Sequence, residues 1–201
     1  MNKPTILVDM DGVFCNFVEG YYAILEQKYG FARQLFPNPA ELKTFYIADS
    51  ITHPMGKAVE KNICNDPELF SSLKPLQGAI AGMRELLIQA IAADCNVYIC
   101  TAPHLTNPSC YTQKAKWVEQ YLGFEWLELL IITRDKTMVI GDVLLDDKPE
   151  PLGNNIPTWE HVLFTCSYND DIIGKQRINN WSTEAINLLI STAQRNFKNR
   201  K

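Results

Sequence analysis

Two carboxylates one residue apart, Asp9 and Asp11, follow the apolar run Ile6-Leu7-Val8 and precede Gly12. On an extended strand, residues two apart share a face. A glycine directly after them permits a sharp turn, so both carboxylates can stand at a strand's carboxyl end, where open α/β sheets bind ligands. Two other apolar runs end comparably: 96–101 closes on the hydroxyl of Thr101, and 143–145 on the pair Asp146-Asp147. An Asp-Gly pair is by itself ordinary turn chemistry; three polar tips that meet along one edge of a parallel sheet are a site. Two unit charges 4 Å apart repel by about 4 kcal/mol at an effective dielectric of 20, so such a cluster requires a cation, and an all-oxygen donor set favours Mg²⁺. Carboxylates, Mg²⁺, a hydroxyl and a lysine suit phosphoryl transfer, which is mainly positioning and charge neutralisation. In that chemistry Asp9 is the nucleophile that accepts the phosphoryl group. Asp11 then protonates the leaving alkoxide and takes a proton from the attacking water.

The elements that must carry these groups follow a helix-strand rhythm. Apolar and aromatic residues recur at helical spacing over 17–29, with Gly30 as a stop, and again over 78–93 and 112–122, the last closed by Gly123. Continuous apolar strands are expected at 6–8, 96–101, 129–133, 138–140, 143–145 and 162–165, and a closing amphipathic helix at 182–195 with Ser182 as its N-cap. The stretch 31–75 differs. Pro37, Pro39, Pro54, Pro67 and Pro75 punctuate short aromatic pieces without a strand pattern, which predicts an inserted, mostly helical cap. The expected organisation is an α/β, Rossmann-like core with a parallel sheet flanked by helices, formed by 1–17 and 75–201, and a small helical cap at 18–74.

With 201 residues, 46% of them hydrophobic, the chain is long enough to bury a proper core. A net charge of −4 supplies no basic field for nucleic acid. Six cysteines without a C-x-x-C pair read as buried thiols of a reducing compartment rather than disulfides or a zinc site. No apolar run reaches membrane-spanning length, and the expectation is a soluble, cytoplasmic protein.

The ordered set Asp9-Met10-Asp11, Thr101, Lys114 and Asp146-Asp147 resembles the four motifs of the haloacid dehalogenase (HAD) superfamily of aspartate-nucleophile phosphatases. Val8 to Val13, Ile99-Cys100-Thr101, Trp117-Val118-Glu119, Thr133 to Thr137, Leu145-Asp146-Asp147 and Trp159 to Thr165 are similar to the 5'(3')-deoxyribonucleotidases within it, over nearly the whole chain. That resemblance implies hydrolysis of deoxyribonucleoside 5'- and also 3'-monophosphates, with Mg²⁺ held by Asp9, the Asp11 backbone carbonyl and one of Asp146 and Asp147. It implies phosphate binding by Thr101, with Lys114 and Lys136 neutralising charge, and base or sugar packing by Phe17, Phe45 and Tyr46. Its partner is a small-molecule nucleoside monophosphate, with no nucleic acid and no membrane, and a homodimer is compatible with it. Ala102 stands where better-known members have Ser, and the cap's second aromatic position holds Cys64.

Three points stay open at this level. Asp142 also fits a G-D-x-x-x-D form of the last motif and competes with a plain buried turn residue. Another small phosphate ester is an alternative substrate. A phospho-receiver switch uses similar residues, but it places its acceptor aspartate on a middle strand, after its acidic pair.

Overall fold

The computed structural model describes residues 3–200. Its centre is a sheet of six parallel strands in the order β3-β2-β1-β4-β5-β6: β1 (Thr5–Val8), β2 (Asn96–Thr101), β3 (Leu130–Ile132), β4 (Val143–Asp146), β5 (Glu160–Phe164) and β6 (Gln176–Ile178). β1 lies between β2 and β4, and the chain winds outward from it in both directions. The crevice at the carboxyl ends of β1 and β4 is therefore the topological switch point.

Strand periodicity explains the burial. Ile6 and Val8, Val97 and Ile99, and Val143 and Leu145 enter the large core, whereas Leu7, Cys100 and Leu144 face the other way and pack with Trp159. Both faces are covered, so the central strands read as unbroken apolar runs. The large core is closed by α4 (Ala79–Ala92), through Met83 and Leu86, and by α6 (Thr183–Arg200), through Ile186 and Leu189. All six cysteines are free. No helix of the described residues is long and apolar enough to cross a membrane.

Between β1 and α4 the chain forms α1 (Phe17–Tyr29), three short 3-10 turns, α2 (Pro54–Cys64) and the single turn α3 (Leu69–Ser72). Asn16 caps α1: its Oδ1 accepts from Glu19 N at 3.3 Å while its Nδ2 donates to Glu19 Oε2 at 2.7 Å. This helical segment is bonded to α5 (Cys110–Tyr121) and the loop before it. Gln113 Oε1 accepts from Phe70 N at 2.8 Å, Asn107 Nδ2 donates to the carbonyls of Cys64 and Asp66 at 3.0 Å each, and Trp117 Nε1 donates to Leu73 O at 2.7 Å. These buried side chains satisfy backbone groups that a short, irregular segment cannot pair internally.

Several element boundaries differ from expectation. Gly30 keeps right-handed backbone (φ −52°) and leads into a 3-10 turn rather than stopping the chain. Gly123 does take a positive φ of 121° just after α5. The expected strand at 138–140 is absent: Lys136–Met138 is a 3-10 turn anchored by Asp135, whose Oδ1 accepts from Thr137 N at 2.9 Å. The sixth strand was not expected, since its three residues show no apolar run, and α6 continues to Arg200.

Candidate active site

The tips of β1, β2 and β4 meet as one cluster. Asp9 follows β1, and its N–H donates to Leu145 O at 2.8 Å, extending the β1-β4 ladder by one residue. The chain then turns over the Met10 carbonyl, which accepts from Phe14 N and Cys15 N at 3.1 and 3.0 Å. Gly12 sits in that turn with φ +74°. A Cβ there would collide with the Asp147 carboxylate and the Tyr168 hydroxyl, so the position needs glycine both for its backbone and for close approach.

The two lysines divide the carboxylates between them. Lys114, fully buried on α5, lies 2.6 Å from Asp11 Oδ2 and donates to Thr101 Oγ1 at 2.7 Å. Burial works against its charge, but Asp11 and Asp9 more than offset this and raise its pKa. Lys136 reaches Asp9 Oδ1 at 2.8 Å and Asp146 Oδ2 at 2.7 Å, and its pKa is likewise raised, burial being overcome by those two carboxylates. Asp11 is pushed above the usual carboxylate range by burial despite Lys114, which favours a carboxyl able to donate a proton.

Asp9, Asp146 and Asp147 each offer an oxygen within 4.8 Å of the others. At that separation each pair repels by about 3.5 kcal/mol at an effective dielectric of 20. Lys136 serves Asp9 and Asp146, and Asp146 Oδ1 also accepts from Lys148 N at 2.9 Å. Asp147 has no cation: Tyr168 donates to its Oδ2, and its buried Oδ1 has no hydrogen-bond partner among the described residues. Burial, followed by the charges of Asp146 and Asp9, drives its pKa well up. A buried, crowded set of oxygen donors with one orphaned lone pair fits a hard divalent cation. Asp142 lies elsewhere, at the amino end of β4, where it accepts from Thr5 N at 2.8 Å and pairs with Arg200 at 3.1 Å.

The cluster forms the floor of a cavity of about 510 Å³ whose walls come from the helical segment and from the loops that follow β2 and β4. Phe17, Phe45 and Tyr46 all line it, as do Phe70 and Tyr168. Lys148 Nζ, just beyond the acidic pair, donates to Tyr46 Oη at 2.6 Å and stands 4.8 Å from the Phe45 ring centre. Phe45 also meets Tyr168 edge to face at 5.8 Å.

Tyr168, Asn169, Lys148 and Phe70 were not among the residues singled out from sequence. Asn169 donates to the carbonyls of Asp147 and Phe164 at 2.7 and 2.8 Å, fixing the loop that carries Tyr168. A lone Tyr-Asn pair after a strand carries no pattern that would mark it. His161, whose Nε2 lies 3.4 Å from the Asp146 carbonyl, is lowered to about 4 by burial and by Lys175. Its folded pKa lies below the unfolded value near 6.5, so its contribution to stability is full above pH 6.5 and is lost as pH falls toward 4. Urea unfolding of wild type and His161→Gln across that window is expected to show a difference narrowing by up to about 3 kcal/mol; parallel pH profiles would contradict it.

Comparison with known proteins gives a consistent answer. The sequence model for the 5' nucleotidase, deoxy (pyrimidine), cytosolic type C protein matches residues 3–195. The cytosolic-type 5'(3')-deoxyribonucleotidase of Homo sapiens is 36% identical over 188 residues, covering 88% of this chain and 89% of that protein. The mitochondrial 5'(3')-deoxyribonucleotidase of Homo sapiens is 33% identical over 185 residues, covering 89% and 79%. Among solved structures, the magnesium-bound HAD-hydrolase YfnB of Bacillus subtilis superposes with a TM-score of 0.56 at 11% identity, covering 94% of this chain and 99% of that one. A haloacid dehalogenase-like hydrolase of Xanthomonas campestris gives 0.50 at 14% identity, covering 96% and 98%. These last two speak to the fold alone: a Rossmann-like core of the HAD type.

Proposed function

The chain belongs to the 5' nucleotidase, deoxy (pyrimidine), cytosolic type C family, and on that premise we propose that it is a Mg²⁺-dependent phosphatase of deoxyribonucleoside 5'-monophosphates, and of 3'-monophosphates as well, working through an aspartyl-phosphate on Asp9. The observation that carries this is the division of labour at the strand tips. Asp9 is held by Lys136 at 2.8 Å, and Asp11 stands apart on Lys114 with a carboxyl whose pKa is raised.

In the first step an Asp9 oxygen attacks phosphorus, the bond from phosphorus to the sugar oxygen breaks, and Asp11 gives its proton to the leaving alkoxide. In the second, water attacks phosphorus and Asp11 takes its proton. The bond from phosphorus to Asp9 then breaks, releasing inorganic phosphate and restoring the Asp9 carboxylate and the protonated Asp11 carboxyl. Thr101 and Lys114, 2.7 Å apart, bind the non-bridging phosphate oxygens, and Lys136, 2.8 Å from Asp9 Oδ1, holds that carboxylate in position. Asp9 and Asp147, with the Asp11 backbone carbonyl, would hold Mg²⁺. Asp147 is preferred to Asp146 because its Oδ1 alone of the acidic pair is unpartnered. Bound there, the ion would neutralise charge on the cluster and on the phosphate. Residues 18–74 serve as the cap that shields the phosphoenzyme and, through Phe45 and Tyr46, holds the nucleoside together with Phe17 of the core formed by 1–17 and 75–201.

The test is phosphate release from deoxy- and ribonucleoside 5'- and 3'-monophosphates and from sugar phosphates, with Mg²⁺ and with EDTA. Mg²⁺-dependent turnover favouring deoxynucleotides is expected; turnover confined to sugar phosphates would overturn the nucleotidase reading. Mg²⁺ at a hundred times its Kd should also stabilise the wild type by about 2.7 kcal/mol. Thermal unfolding should show this shift and its loss in Asp147→Asn, and a melting temperature indifferent to Mg²⁺ would contradict the assigned ligand set.

A further inference from the structure

The oxygens of the acidic cluster are not equally available to a ligand. Both oxygens of Asp146 are engaged, Oδ2 by Lys136 at 2.7 Å and Oδ1 by Lys148 N at 2.9 Å, and Asp9 Oδ1 is met by Lys136 at 2.8 Å. Asp147, only 3% exposed, is divided: its Oδ2 accepts from the Tyr168 hydroxyl, whereas its Oδ1 has no partner among the described residues. The Gly12 backbone encloses Oδ2 further, passing so near that a Cβ there would overlap both this oxygen and the Tyr168 hydroxyl. Tyr168 is itself held in place. Its ring meets Phe45 edge to face at 5.8 Å. The next residue, Asn169, donates to Asp147 O at 2.7 Å and Phe164 O at 2.8 Å, accepts from Cys166 N at 2.9 Å, and takes a bond from Arg177 of β6 on its own carbonyl at 2.7 Å. The Asp147 carboxylate is thereby pinned, with one oxygen committed to the tyrosine and one left over.

We propose that Tyr168 governs which divalent cation the site takes: by holding Asp147 Oδ2 it confines that carboxylate to a single oxygen ligand, and so raises the preference for Mg²⁺ over Ca²⁺. This inference rests on the assignment of Asp147 as a metal ligand above. The two ions ask different things of a carboxylate. Mg²⁺ demands near-octahedral geometry, takes one oxygen from each of one or two carboxylates, and keeps waters for the rest. Ca²⁺ is larger, gathers about six to eight oxygens, and often takes both from one carboxylate. To reach Oδ2, Ca²⁺ would have to displace the Tyr168 hydroxyl, a hydrogen bond to a charged group. Mg²⁺ has no use for that oxygen and leaves the bond intact. Groups that orient a metal's ligands tune the ion they bind, and Tyr168 is a positioning residue of this kind, acting through Asp147.

The test is calorimetric titration of the metal-free, full-length protein with Mg²⁺ and, separately, with Ca²⁺, for the wild type, Tyr168→Phe and Asp147→Asn. Phenylalanine keeps the ring and its packing against Phe45 and removes only the hydroxyl. The fraction of folded protein enters such a titration as the number of sites, so the ratio of the two Kd values does not depend on it. Tyr168→Phe should shift that ratio in favour of Ca²⁺ by roughly 10- to 100-fold, the size of one hydrogen bond to a charged group. Tyr168→Leu, which also lacks a donor, should reproduce the shift. A ratio within about threefold of the wild type's, a shift toward Mg²⁺, or loss of both ions in the Tyr168 variants would each overturn the inference. Asp147→Asn separates this failure from that of its premise. Mg²⁺ affinity retained in Asp147→Asn, or a wild type that binds neither ion, would overturn the ligand set and the inference with it. Affinity lost in Asp147→Asn beside an unchanged ratio in Tyr168→Phe would overturn the inference alone.

Discussion

Asp9→Asn is expected to lower phosphate release by on the order of 10⁴-fold or more, because an amide oxygen cannot take the phosphoryl group and no neighbouring carboxylate is free to replace it. Asp146 is held by Lys136 and by the Lys148 N–H, and Asp147 has one oxygen on Tyr168 and would commit the other to Mg²⁺. The loss should not come from misfolding. Removing the Asp9 charge forfeits an attraction to Lys136 at 2.8 Å, about 6 kcal/mol at an effective dielectric of 20. It also relieves two repulsions within 4.8 Å, together about 7 kcal/mol on the same scale. These nearly cancel, so the urea midpoint should move little while turnover disappears. Residual activity within tenfold of wild type would remove Asp9 from the role of nucleophile.

Lys114→Met should damage both activity and stability. The ammonium is fully buried and is the only cation paired with Asp11 among the described residues. Methionine fills much of its volume but leaves the Asp11 carboxylate without a counterion. Breaking a buried pair from one side costs about 3–5 kcal/mol. Asp11 keeps 24% of its side chain exposed, so solvent screening lowers the expected cost to about 2–3 kcal/mol. Turnover should fall by on the order of 10²- to 10³-fold through lost charge stabilisation at the phosphate. Urea unfolding together with kcat/KM separates the two effects. A variant as stable and as active as wild type would show that the Lys114-Asp11 pair is incidental.

The strand tips were legible in the sequence because a central parallel strand must be apolar on both faces, so a sudden polar residue marks where the strand leaves the core. Asp9, Thr101 and Asp146-Asp147 each ended such a run, and their meeting followed once the strands were taken as parallel. The lysines were harder. Both Lys114 and Lys136 were picked out, but which carboxylate each reaches depends on how α5 and the 136–138 turn pack over the tips, and no periodicity encodes that. Tyr168 was invisible for a similar reason: it lies in an irregular loop, and its importance comes from Gly12 leaving room for it beside Asp147. Met138-Val139-Ile140 looked like a strand because three apolar residues fit either state. The Asp135 side chain turned the chain into a 3-10 turn, and Met138 and Ile140 stand about 70% exposed.

The central claim is a double displacement through Asp9, and the stereochemical course at phosphorus tests it most directly. A deoxynucleoside monophosphate made chiral at phosphorus with oxygen isotopes is hydrolysed in isotopically labelled water, and the configuration of the released phosphate is read. Two successive in-line attacks, first by Asp9 and then by water, predict net retention. Net inversion would mean that water attacks the substrate directly, and it would contradict the account of Asp9 as nucleophile.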